Sequence, residues 1–96
     1  MYVHLLPEAE DDLESIFEYI ARRNLPRAES FVQELLTKAE ALAHMPDAYP
    51  FLGHSDLRRR LHGNYRILFR LKHDLGRIDV VRILHSAMDV NLLEIP

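Results

Sequence analysis

An α+β fold of order β-α-α-β-β-β, a helical hairpin packed on one face of a mostly antiparallel four-stranded sheet, is predicted by three observations. Apolar residues recur at three-and-four spacing in two stretches between Ala9 and Leu42. Three β-prone runs, separated by two short glycine-containing turns, fill the chain from Leu57 to His85. A short β-prone run, Tyr2 to Leu6, precedes the first helical stretch and is stopped by Pro7. Amphipathic helices with one apolar stripe each need a surface to cover, and the strands supply it.

The first helix should start at Pro7, because a proline at the first helical position gives up an N–H that would be unpaired there anyway. Glu8, Glu10, Asp11 and Asp12 place negative charge beside the positive end of the helix dipole. Leu6 offers no side-chain cap. Ala9, Leu13, Ile16, Phe17 and Ile20 form one stripe. Arg22 and Arg23 suit the C-terminal end, Asn24 can take the left-handed conformation that closes a helix, and Pro26 prevents continuation.

Pro26 in turn opens a second helix, with Ala28, Phe31, Val32, Leu35, Ala39 and Leu42 recurring until Met45-Pro46. So short a connection makes the two helices antiparallel. The most loop-like composition lies between Met45 and Asp56. Strands are then expected over Leu57 to Leu61, Tyr65 to Lys72 and Arg77 to His85, joined by His62-Gly63-Asn64 and His73-Asp74-Leu75-Gly76 as consecutive hairpins. In the middle one Tyr65, Ile67, Phe69 and Leu71 alternate with Arg66, Leu68, Arg70 and Lys72, which gives it an inner face and an outer, arginine-bearing one. Ile78 to Leu84 is apolar on both faces and should be central or covered. The tail has room for a final helical turn.

Ninety-six residues, 48% of them hydrophobic, suffice for one core, so residues 1–96 are read as a single domain. No segment approaches the roughly 20 apolar residues of a membrane span, and the N-terminus has no basic stretch leading into an apolar one. A soluble, cytoplasmic protein without membrane contact is the expectation. The chain has no cysteine, which removes disulfides, thiolate metal sites and cysteine nucleophiles together. The net charge of -3 conceals a split. Residues 1–50 hold four Lys/Arg against ten Asp/Glu, and residues 51–96 hold eight against five. The basic half can meet an acidic partner or simply present a solvated face.

The ordered set Pro7-Glu8-Ala9, Asp12-Leu13, Ile16 and Tyr19-Ile20, then Pro26, Ala28 and Phe31, Leu57-Arg58, Tyr65-Arg66-Ile67-Leu68-Phe69, and Arg82-Ile83-Leu84-His85 with Asp89, resembles the ParE branch of the RelE/ParE superfamily of type II toxin–antitoxin toxins. The likeness spans almost the whole chain. One departure is Met88, where many members have an arginine, so no cation is available at that position.

The resemblance implies two kinds of activity. RelE-like members cut messenger RNA on the ribosome, which requires a base for the ribose 2′-hydroxyl, cations for the phosphate and an acid for the leaving oxygen. Here His85 would be the acid, with Arg66 and Arg82 among the cations. No tyrosine follows His85, although one near the C-terminus is common among the ribonucleases, and the only glutamate beyond position 40 is Glu94, so the base is missing. ParE-like members instead block DNA gyrase and leave cleaved DNA unrepaired, which needs no catalytic constellation and no cofactor. Gyrase inhibition is therefore the expected activity, with ribonuclease action or a degenerate member without toxicity as alternatives. The resemblance also implies a cognate antitoxin, usually with a ribbon-helix-helix DNA-binding half and a flexible tail, giving a hetero-oligomer in which this chain itself reads no DNA sequence. Such a tail would lie along the helical hairpin and the sheet, with Leu13, Phe17 and Leu35 of the helices and Arg58, Arg60, Arg66 and Arg70 of the strands as candidate contacts.

The same residues have plainer readings. A histidine ending an apolar strand is usually a packed structural residue, here with Asp89 four positions on as a partner. Arg58-Arg59-Arg60 on a strand must alternate in direction, and the plain reading is a solvated edge strand protected by its charge. His44, His54, His62 and His73 have no ligand-like spacing, so no metal is expected. Neither Gly63 nor Gly76 opens a phosphate-binding loop.

Overall fold

A computed structural model describes residues 1–53, 55–93 and 95–96. Glu94 and His54, both named in the reading of the sequence, lie outside the described residues. The order is β1 (Tyr2–Leu5), α1 (Pro7–Ala21), α2 (Leu25–Ala41), β2 (Arg58–His62), β3 (Tyr65–Lys72) and β4 (Arg77–His85), with 3-10 turns at Pro46–Ala48, His73–Leu75 and Val90–Leu92. The sheet order is β1-β4-β3-β2; β1 pairs parallel with β4, and the other two pairs are antiparallel. The expected architecture is therefore present, with β4, apolar on both faces, in the interior of the sheet.

Both hairpin turns use a glycine at positive φ, Gly63 at 55° and Gly76 at 63°, a region that costs residues with a Cβ energy. Asn24 does not close α1 in a left-handed conformation. It is extended, at φ -155° and ψ 91°, and its side chain accepts from the Arg27 backbone N–H at 3.0 Å, so it caps the start of α2. A side-chain oxygen is worth more there, where donors are orphaned, than at the preceding helix end. The second helix stops at Ala41, earlier than the apolar pattern implied, although Leu42 remains fully buried.

Two cores flank the sheet. On the helix side, Ala9, Leu13 and Ile16 of α1 and Phe31, Leu35 and Ala39 of α2 pack with Ile67, Phe69, Ile78, Val80 and Ile83. On the far side a smaller cluster joins Leu57, Leu68, Val81 and Leu84, covered by Leu52, Val90, Leu93 and Ile95. The far face is thus not a bare row of arginines. Strand β4 bulges there: Phe69 pairs with Val80 and Leu68 with Arg82, and the extra residue, Val81, shifts the alternation beyond it so that Ile83 faces the helices and Leu84 the far cluster.

Candidate functional site

The arginines of the strands separate into two sets. Arg58 and Arg60 stand opposite Phe69 and Ile67, on the helix side, whereas Arg59 stands opposite Leu68, between Arg66 and Arg70 on the far face. The expected grouping of Arg58 and Arg60 with Arg66 and Arg70 is corrected by this register, because alternate residues of a strand point to opposite sides. Arg58 donates to the Tyr49 carbonyl at 2.8 Å and lies 3.9 Å from the centre of the Phe51 ring. Arg60 donates to the Lys38 carbonyl at 2.9 Å. Both fasten neighbouring backbone to the sheet. On the far face, Arg66 donates to the Met88 carbonyl at 2.7 Å, and Arg70 is held by Asp56 at 3.0 Å and by the Pro96 carbonyl.

Among the helical candidates, Leu35 is 0% exposed and Leu13 is also buried. Their stripe is consumed by the sheet, so neither is open to a partner in this state. Phe17 is half-buried.

The more informative region is the C-terminal half of β4. Strand β1 ends opposite Val80, and beyond it α1 runs beside β4. Asp12 of α1 takes up the edge: its carboxylate accepts from Arg82 at 2.7 and 2.9 Å and from the Ile83 backbone N–H at 2.9 Å. This bidentate pairing raises the Arg82 pKa above its usual value against the opposing effect of burial. Arg82 is consequently part of the joint between helix and sheet.

His85 follows, exposed at the strand end. Its Nδ1 accepts from the Ala87 backbone N–H at 3.0 Å, which leaves Nε2 as the protonated nitrogen of the neutral ring. Asp89 does not pair with it as expected. Its carboxylate accepts from the Asn91 N–H and caps the last 3-10 turn. The aromatic neighbour of His85 is Tyr65, its partner across the β3–β4 ladder, with ring centroids 5.3 Å apart in edge-on geometry. Burial pushes the Tyr65 phenol above its ordinary pKa, with Tyr19 a lesser cause in the same direction.

Two clefts share Tyr19, Tyr65 and His85. One, of about 280 Å³, runs between Asp12, Ser15, Ile16 and Tyr19 of α1 and the β4 end. The other, of about 500 Å³, opens toward Arg27, Phe31 and Asn64. Sequence reasoning missed both tyrosines as neighbours of His85, since it looked for one later in the chain. The signal was present in the hairpin: counting back from the His73–Gly76 turn brings Tyr65 level with His85 once the bulge is allowed for. Among the described residues no group of three His, Asp or Glu side chains is placed to hold a metal ion. Nor is any of their helices long and apolar enough to cross a membrane.

Two helices packed on one face of a four-stranded sheet of order β1-β4-β3-β2 form a fold found among solved toxin–antitoxin systems. The chromosomal ParDE system from P. aeruginosa contains a chain that superposes with a TM-score of 0.76 at 19% identity, over 88% of this chain and 95% of the other. The toxin–antitoxin complex RelBE2 from Mycobacterium tuberculosis gives 0.67 at 19% identity, again over 88% and 95%. No curated protein sequence matches. The family model of the ParE toxin of type II toxin–antitoxin systems matches residues 3–90, and the chain belongs to that family.

Proposed function

We propose that this ParE-family toxin acts without catalysis, by binding DNA gyrase, and that a cognate antitoxin neutralises it. What supports this is the state of the groups around His85. Arg82 is bound bidentately by Asp12 and Arg66 is drawn to the Met88 carbonyl, so these two of the arginines considered for RNA cleavage are committed to the fold. Tyr65, the nearest hydroxyl that could act as base, has a raised pKa and is less able to give a tyrosinate. The purified protein should inhibit gyrase supercoiling and trap cleaved DNA at micromolar concentration. Unaffected supercoiling together with no trapped DNA would refute the gyrase target.

The ribonuclease reading retains one favourable observation, the Tyr65–His85 contact beside open clefts. If it were right, the wild-type protein would cut message in a translating extract and His85→Ala would not. Intact message with the wild-type protein would remove it. Both superposed structures come from toxin–antitoxin systems, which supports the antitoxin partner. Co-purification with the product of the adjoining reading frame tests that part.

A further inference from the structure

Residues 86–96 cross the far face of the sheet without joining it. Beyond Ser86, whose N–H donates to the Asn64 carbonyl, the main-chain bonds of this tail are local: Met88 to His85, Leu92 to Asp89 and Leu93 to Val90. Among the described residues, none ties it to another element. It is held instead by side chains. Arg66 donates to the Met88 carbonyl near one end and Arg70 to the Pro96 carbonyl at the other. Between these anchors the half-buried Val90, Leu93 and Ile95 lie over Leu57, Leu68, Val81 and Leu84. The fit is loose, for a hollow of about 510 Å³ opens between Val90, Asn91 and Ile95 of the tail and Leu52, Ser55, Leu57 and Arg70.

An apolar strip so covered is a peptide groove already filled by its own chain. Guanidinium groups that grip carbonyl oxygens recognise main chain rather than a particular side chain, so another segment can take over the same bonds. Leaving four aliphatic side chains bare is unfavourable in water, and the closed form therefore dominates in the isolated protein. A segment with no ladder bonds and few buried apolar contacts nevertheless opens locally at far less cost than global unfolding.

We propose that this strip is the surface that meets gyrase and that the tail is its built-in competitor, a strap that must lift before the target binds. The tail itself specifies the ligand. It carries aliphatic side chains at spacings of three and two, Val90, Leu93 and Ile95, on a main chain whose carbonyls reach Arg66 and Arg70. Arg59 and Lys72 stand on the same face of the sheet as those two arginines, so acidic residues should flank the incoming apolar segment. The proposal rests on the gyrase reading above and adds which face is used and what shuts it.

Where the binding-competent form is a minor fraction, apparent affinity falls by that fraction, so loosening the strap strengthens binding and locking it removes binding. Ile95→Ser takes away an aliphatic contact of the cover and leaves the strip intact. The variant should melt at a lower temperature yet inhibit gyrase supercoiling at about threefold lower concentration. A merely structural Ile95 would lower stability and inhibition together. Because the chain has no cysteine, Ser55→Cys with Asn91→Cys puts two unique thiols on the walls of the hollow, where a short bis-thiol reagent can join them. The bridged protein should inhibit about tenfold less than the same variant unbridged. Should the double variant fail to fold, the sign of the Ile95→Ser effect decides. Equal inhibition with and without the bridge, or weaker inhibition by Ile95→Ser, overturns the strap and leaves the gyrase reading intact. A bridge that blocks antitoxin binding and spares inhibition gives the strip to the antitoxin and overturns the proposal. A parent protein that does not inhibit gyrase overturns both readings.

Discussion

On the helix-covered face of the sheet, twelve buried side chains from the helical hairpin and strands β3 and β4 interlock, whereas on the far face, among the described residues, only Leu57, Leu68, Val81 and Leu84 gather under a loop and the chain end. The first face is held by apolar area, and its arginines, Arg58 and Arg60, lie at its margin with their heads on backbone carbonyls. The second is held in good part by polar ties, Arg66 to the Met88 carbonyl and Arg70 to Asp56 and the Pro96 carbonyl. Charged ties to exposed partners are individually weak, and apolar burial is not. Stability should therefore reside on the helix side, and the far side should be the more adjustable one.

The sharpest check is Phe69→Ala. Phe69 is fully buried against the helices, and its truncation should cost about 4 kcal/mol in urea unfolding. Next is Asp12→Ala, which strands both the Arg82 guanidinium and the Ile83 N–H at the joint between the faces. About 3 kcal/mol is expected. Asp12→Asn, retaining an acceptor, should cost less; equal losses would mean that the carboxylate charge, rather than its geometry, holds the joint.

Leu68→Ala tests the far face directly. Leu68 is as fully buried as Phe69, yet the covering chain end can settle into the space it leaves, so the loss should be near 2 kcal/mol, at the low end for such truncations. A loss matching Phe69→Ala would break the contrast between the faces.

The smallest effect concerns the rim of the helix side, where Glu34 bonds Arg27 at 2.7 Å and His62 at 2.8 Å. These bonds, Arg27 first, lower the Glu34 pKa below its ordinary 4.5. A carboxylate lowered in the folded state contributes stability above its unfolded pKa and loses it as pH falls through the folded value. Glu34→Gln should therefore be slightly less stable than the parent at neutral pH, with the gap closing below about pH 4.5 in thermal melts. A gap that persists in acid would assign the effect to packing.

Much of the fold was legible because it depends on local rules. The three-and-four spacing placed Leu13, Ile16, Phe31 and Leu35 on the buried stripes, and glycines at positive φ marked both hairpin turns. The functional region was less legible. Asn24 was assigned to the wrong helix end, because an asparagine suits either and only the path of the connection chooses. Arg58 and Arg60 were grouped with the wrong neighbours, since charge alone does not give the side of a strand. His85 was matched with Asp89, close in sequence, when its aromatic neighbour is Tyr65, twenty residues back along the ladder.

Periodicity, turn chemistry and the order of motifs, all properties of a few consecutive residues, determined the elements, the α+β class and the resemblance to ParE toxins. Tertiary structure decided which cations are committed and what takes up the sheet edge. Asp12 meets Arg82 and Ile83 across about seventy positions of chain only because β1 stops at Leu5 and α1 continues along the strand it abandons. Such a pairing depends on where two elements end relative to each other in space, and no local pattern encodes it.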